Sequence, residues 1–153
     1  MSGKRPEEAR RWFQQAHYDF EAARWNLKGG FHNTVCFLSQ QSGEKALKSL
    51  LYYFGSRRQA LFTHSLLDMV QEAGNNDPQF IGLSGEAKEL DLHYIPSRYP
   101  NGLPGGYPHR FYDRKVAEHA VKAAKRILSA VRTYYEGQKE DDILRPDDDR
   151  GEG

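Results

Sequence analysis

The sequence is poor in the features that mark several protein classes. Its 153 residues hold one cysteine, Cys36, which excludes an internal disulfide and an all-cysteine metal site and fits a reducing, cytoplasmic setting. No apolar run nears the roughly 18 residues that a membrane span needs, and the longest of note is Leu50 to Phe54. Met1 to Glu8 is charged and has no apolar signal core, so neither membrane insertion nor secretion is expected. Strand signals are nearly absent. So are a Walker loop and a GxGxxG, the familiar glycine-rich phosphate cradles. His17, His32, His64, His93, His109 and His119 show no HxxH or HExxH spacing, so no metal site and no cofactor are expected.

Charge of one sign is lacking too, with 22 Lys and Arg against 21 Asp and Glu. The balance is uneven along the chain, however. Residues 138 to 153 carry three basic and seven acidic side chains, a net of −4 that leaves residues 1 to 137 at +5 out of the overall +1. A mildly basic body suits a phosphate-bearing ligand. The terminal stretch, with Asp147-Asp148-Asp149 and two glycines, is expected to be a disordered acidic tail over 138–153, following one domain over 1–137.

What is present is helical periodicity. Ala9, Trp12, Phe13, Ala16, Phe20, Ala23 and Leu27 recur at three- and four-residue steps, a stripe along a helix of about five turns. Pro6 fits its first turn and Gly29-Gly30 ends it. A second helix over 32–54 carries Val35, Phe37, Leu38, Ala46, Leu47, Leu50 and Leu51, and its wide apolar face makes it the central one. A short helix over 64–73, capped by Thr63, turns Leu66, Leu67 and Val70 inward and breaks at Gly74 to Pro78; another follows over 84–94. Asp113 caps a last helix whose stripe is Val116, Ala120, Ala123, Ala124, Ile127, Val131 and Tyr134. These elements predict an all-α fold: an antiparallel up-down four-helix bundle with one additional short helix.

Ser97-Arg98-Tyr99-Pro100 places an arginine where a helix runs out into a loop containing Pro100, Pro104, Pro108, Gly102, Gly105 and Gly106. Pro100 biases Tyr99 away from helical dihedrals, so Arg98 stands where a rigid loop can aim a guanidinium at an anion; pairing with a carboxylate or capping a carbonyl is the alternative. His93 is a neighbour of any ligand bound there. On the second helix Gln41, Glu44, Lys45 and Lys48 follow i, i+3, i+4, i+7 spacing and project from one side, either as a phosphate-binding patch or as an exposed charged face in which Glu44 screens the lysines. Arg114 and His119 have the chemistry of a metal-independent ribonuclease, the histidine moving a proton for 2′-hydroxyl attack and the arginine stabilising the charged phosphorane. Five helical residues turn the two side chains roughly 140° apart, so they converge only if Arg114 precedes the helix or a second subunit supplies one of them. A solvated face is the other possibility.

The order and spacing of three segments resemble the HEPN (higher eukaryotes and prokaryotes nucleotide-binding) domain, in the branch with an Arg-Tyr-Pro element. They are Cys36-Phe37-Leu38-Ser39-Gln40-Gln41-Ser42-Gly43-Glu44-Lys45-Ala46-Leu47-Lys48, Thr63-His64-Ser65-Leu66-Leu67 and Ser97-Arg98-Tyr99-Pro100. The resemblance spans residues 6 to 135 and implies a helical bundle, usually a homodimer, associated with a nucleotide or RNA. It also implies a nucleotidyltransferase protein as partner and a toxin-antitoxin association. Ribonuclease members carry an arginine with a histidine four to six positions later, a formula that Arg114, Lys115 and His119 fit loosely. Arg98 has no histidine at that spacing, and His109 lies eleven residues on. The chain is thus expected to be a non-catalytic or weakly catalytic module that binds a nucleotide or another phosphate-bearing ligand, with the Arg114 and His119 ribonuclease and a purely structural dimerising bundle that only docks to a partner protein as the alternatives. In the binding role Arg98 makes forked hydrogen bonds to phosphate, Lys45 and Lys48 add charge, Tyr99 stacks on a base and His93 stands nearby.

Overall fold

A computed structural model describes residues 4–147. They form eight α-helices: α1 (Pro6–Gly29), α2 (His32–Phe54), α3 (Arg58–Phe62), α4 (Leu66–Asn76), α5 (Ser84–Asp91), α6 (Pro108–Phe111), α7 (Arg114–Gly137) and α8 (Asp141–Leu144). Two 3-10 helices, Pro78–Leu83 and Pro100–Gly102, complete the set, and the described residues contain no strand. None of the described helices is long and apolar enough to cross a membrane.

The long helices start and stop for local reasons. Gly30 adopts the left-handed conformation (φ 80°), and its N–H and that of Phe31 bond back to the Leu27 and Asn26 carbonyls. Gly55 (φ 70°) repeats the device at the end of α2. Because α1 and α2 are joined by a tight turn at Gly30-Phe31, they pack antiparallel. Asp113 accepts the Val116 N–H at 2.9 Å and caps α7 as the sequence predicts.

Helix α2 is central: it packs on α1, α7, α4 and α5, while α5 also meets α7. Buried Phe13, Leu47, Leu50, Leu51, Met69, Leu90, Ile127 and Tyr135 make up much of the core. Gly43 allows the close approach of α4 and α5 to α2, since a Cβ there would lie 2.9 Å from both Leu66 Cδ2 and Leu90 Cδ1.

Three expectations need correction. Helix α4 begins at Leu66 rather than His64, with Ser65 and not Thr63 as cap, because Ser65 Oγ takes the Asp68 N–H and Asp91 takes those of Leu66 and Leu67. In α7 the inward slot at the first turn belongs to Ala117, and Val116 is 37% exposed. Residues 138–147, expected within a disordered tail, instead return across α1. Ile143 is buried, Gln14 Nε2 donates to its carbonyl, Arg10 donates to the carbonyls of Asp142 and Arg145, and Tyr53 donates to Glu140. Two apolar side chains, Ile143 and the partly buried Leu144, and a series of backbone acceptors outweigh the local acidity. The remainder of the expected tail, residues 148–153, lies outside the described residues.

Candidate functional site

The polar positions of α2 do not form the exposed charged face that their spacing suggests. Glu44 and Lys48 are only 4% and 6% exposed, and they pair with each other at 3.2 Å across one helical turn. The Lys48 ammonium also lies 5.2 Å from the centre of the Trp12 ring. Lys45 is drawn the other way, to Asp19 Oδ2 at 2.5 Å, with Gln41 Oε1 as a second acceptor. Both lysines therefore have carboxylate partners, and neither offers an unpaired positive charge to a ligand.

Arg98 is held differently. Residues 92–99 leave α5 through a series of turns in which the Arg98 and Tyr99 N–H groups both bond to the Ile95 carbonyl. Asn33 Nδ2, from α2, donates to the Ser97 carbonyl at 3.1 Å, and Ser97 Oγ donates to the His93 carbonyl. Tyr99 is extended (φ −124°, ψ 132°), as its position before Pro100 requires. On this fixed backbone Arg98 Nε donates to the Tyr94 carbonyl at 3.0 Å. The guanidinium carbon lies 4.4, 4.8 and 4.9 Å from the rings of Phe37, Tyr94 and Tyr99. Among the described residues no carboxylate lies within ion-pair distance of it. Aromatic faces fix and partly desolvate the cation without neutralising it. Tyr99 is 49% exposed beside it.

His93 faces inward instead. Its Nδ1 meets the Tyr112 hydroxyl at 3.1 Å, and burial lowers its pKa. Arg114 lies inside the first turn of α7 and pairs with Glu118 at 3.1 Å. His119 lines a cleft of about 240 Å³ between α5 and α7 with Glu86, Glu89, Lys122 and Arg126. Because Arg114 belongs to the regular helix, a single chain does not bring it together with His119. Cys36 is buried, and burial, with Glu89 and Asp113 adding to it, pushes its thiol up to about 12, so it is no nucleophile.

The structure adds His64. Its Nδ1 lies 3.2 Å from Glu44 Oε2, and its ring stacks on Tyr94 with centroids 5.2 Å apart and planes 20° from parallel. Glu44 Oε1 accepts from Gln40 Nε2 at 3.0 Å, which fixes the carboxylate. Tyr94 thus carries both the Arg98 guanidinium and the His64 imidazole. No local spacing announces this, because His64 and Glu44 lie on separate elements. The readable signal is a glutamate on the apolar side of the central helix, where a carboxylate needs partners from elsewhere.

Similarity to known proteins accords with this architecture. The HEPN domain profile matches residues 9–134. The crystal structure of TT1696 from Thermus thermophilus is 36% identical with a TM-score of 0.74, covering 82% of this chain and 97% of that one. Human sacsin is 31% identical over 121 residues, which is 76% of this chain but 2% of sacsin, so the chain spans a small fraction of that relative. A protein of Methanocaldococcus jannaschii named as a candidate toxin, MJ1304, is 26% identical over 133 residues, covering 82% of this chain and 87% of that protein.

Proposed function

The chain belongs to the HEPN family, and on that premise we propose that it binds a nucleotide or RNA through a phosphate at Arg98. One observation carries the proposal: a guanidinium anchored through Nε and three aromatic rings, with no carboxylate among the described residues to neutralise it. Its two terminal nitrogens make the forked pair of hydrogen bonds that a phosphate accepts, and half-exposed Tyr99 supplies a face for a base. The roles expected of Lys45, Lys48 and His93 drop out of this proposal, since both lysines already have carboxylate partners and His93 is buried with its Nδ1 against Tyr112.

Self-association belongs to the same proposal. Leu92 and Ile95 are exposed on the segment that carries Arg98, and Tyr107 and Phe111 are exposed beyond it, an apolar series that a second copy would cover. The name of the M. jannaschii relative supports a toxin-antitoxin role, and the cytoplasm as its setting and a nucleotidyltransferase as its partner protein are added to the proposal from the sequence resemblance alone.

Titration of fluorescent ATP and GTP analogues and of a labelled oligoribonucleotide into the protein and its Arg98→Ala variant tests the phosphate site. Wild type should bind at least one of them, and the variant should bind about 10-fold more weakly or worse, as expected for the loss of a charged hydrogen-bonding group. Bound ligand should also raise the wild-type Tm. Equal affinity of the two proteins, or binding by neither, removes the assignment.

A further inference from the structure

We propose that the solvent side of α1 is a docking face for an amphipathic helix with acidic flanks, carried by a partner protein. The face shares no residue with the Arg98 site, and the inference does not depend on what binds there.

Helix α1 carries two stripes. Ala9, Phe13, Ala16, Phe20 and Ala23 are buried toward the core. On the opposite side Tyr18, Ala22, Trp25 and Gly29 follow i, i+4, i+7, i+11 spacing, the alternation of four and three steps that aligns side chains along one edge of a helix. Tyr18 and Trp25 are 55% and 74% exposed, and neither packs on the core. Phe31, 55% exposed in the turn after α1, closes the row. Its ring lies against Gly29, where a Cβ would stand 3.3 Å from Phe31 Cδ2. Three large rings that support nothing inside the chain make an apolar surface suited to a partner.

The shape of the row selects a rod. From Tyr18 to Gly29 it runs about 16 Å along the helix axis, with small Ala22 between two rings, a hole that a side chain of a second helix can enter. Arg11 and Gln15 prolong the same line toward the N-terminus, and with Trp12 and Lys45 they line a cleft of about 400 Å³ between α1 and α2. A helix of three heptads, about 30 Å long, reaches from that cleft to Phe31. Stacked bases fit less well, since they stand about 3.4 Å apart whereas Tyr18 and Trp25 are about 10 Å apart along the axis. A bilayer fits less well too, because Arg11 and Gln15 continue the line and have no place in hydrocarbon.

Charge selects the flanks of that rod. Glu21 is engaged by Arg24 at 3.6 Å. Lys28 has the Trp25 ring, 6.0 Å away, and no carboxylate among the described residues. Arg110 is likewise without an ion-pair partner there, and it follows His109, whose ring lies 6.3 Å from that of Phe31. The aromatic half of the row is bordered by cations that attract carboxylates and repel a basic helix.

The test uses the full chain and a fluorescent synthetic helix of three heptads, with leucine at heptad positions a and d and glutamate at e and g, whose repulsion keeps the peptide from pairing with itself. Fluorescence anisotropy should show wild type binding it, and binding the counterpart with lysine at e and g about 10-fold more weakly or worse. Trp25→Ala and Tyr18→Ala should each weaken the glutamate peptide by about 10-fold or more while leaving the helical circular dichroism and Tm unchanged. Lys28→Glu should narrow the preference between the two peptides. No binding of the glutamate peptide, equal binding of both peptides, or Trp25→Ala that binds as wild type does overturns the proposal. So does a Trp25-dependent response to another occupant in its place: association with phosphatidylserine vesicles, retention of an oligoribonucleotide, or a dimer seen by light scattering that Trp25→Glu dissociates.

Discussion

At the scale of single residues, the fold sorts charged and titratable groups by whether they still have capacity for a ligand. Lys45, Lys48 and Glu44 are committed to one another or to Asp19, whereas Arg98 is held by a carbonyl and by ring faces that leave its charge intact. His93 shows the energetic side of burial. Its folded pKa lies below the ordinary 6.5, so the unfolded chain takes up a proton first as the pH falls. The stability of the neutral, buried form is complete above 6.5 and declines as the pH drops through that value toward the folded pKa. Urea denaturation at pH 7.5 and pH 5 should therefore show His93→Gln losing less stability across the interval than wild type does. Parallel losses would show that His93 does not contribute to the slope.

At the scale of elements, the C-terminal helix α8 shows how little sequence a docked segment needs. Ile143 is the buried anchor, and Arg10 and Gln14 on α1 take the carbonyls around it. Ile143→Ala should cost about 2–5 kcal/mol, the usual range for emptying such a site, read from the urea midpoint. A change below about 0.5 kcal/mol would mean that α8 docks without supporting the bundle. The long helices are readable because each carries its own evidence. Pro6 and Gly30 bracket α1, Gly55 ends α2, and Asp113 caps α7. Helix α8 is not, since the adjacent Ile143 and Leu144 among Asp141, Asp142 and Asp147 have no periodicity to read, and their partners are on distant helices, chiefly the first. The short α3 and α6 lack periodicity for the same reason of length.

At the scale of the whole molecule, sequence and structure agree on the part of the site that is local. Pro100 announces the extended Tyr99, and with it the loop that presents Arg98. The remainder depends on packing between distant elements. Lys48 is charged yet buried because Trp12 comes from α1 and Glu44 lies one turn away. His64 meets Glu44 only because α4 crosses the middle of α2 at Gly43. Helical periodicity assigns faces, but it does not say which polar groups a neighbouring helix will enclose.

The return of α8 across α1 has a consequence for how the chain can be rewired. Lys4 lies over the Tyr53 ring, and the hydroxyl of that ring bonds to Glu140, so the first and last described segments share a neighbour. A flexible bridge between them, with a new opening cut at exposed Gly105, should give a circular permutant that keeps the wild-type helical circular dichroism and a single cooperative melt.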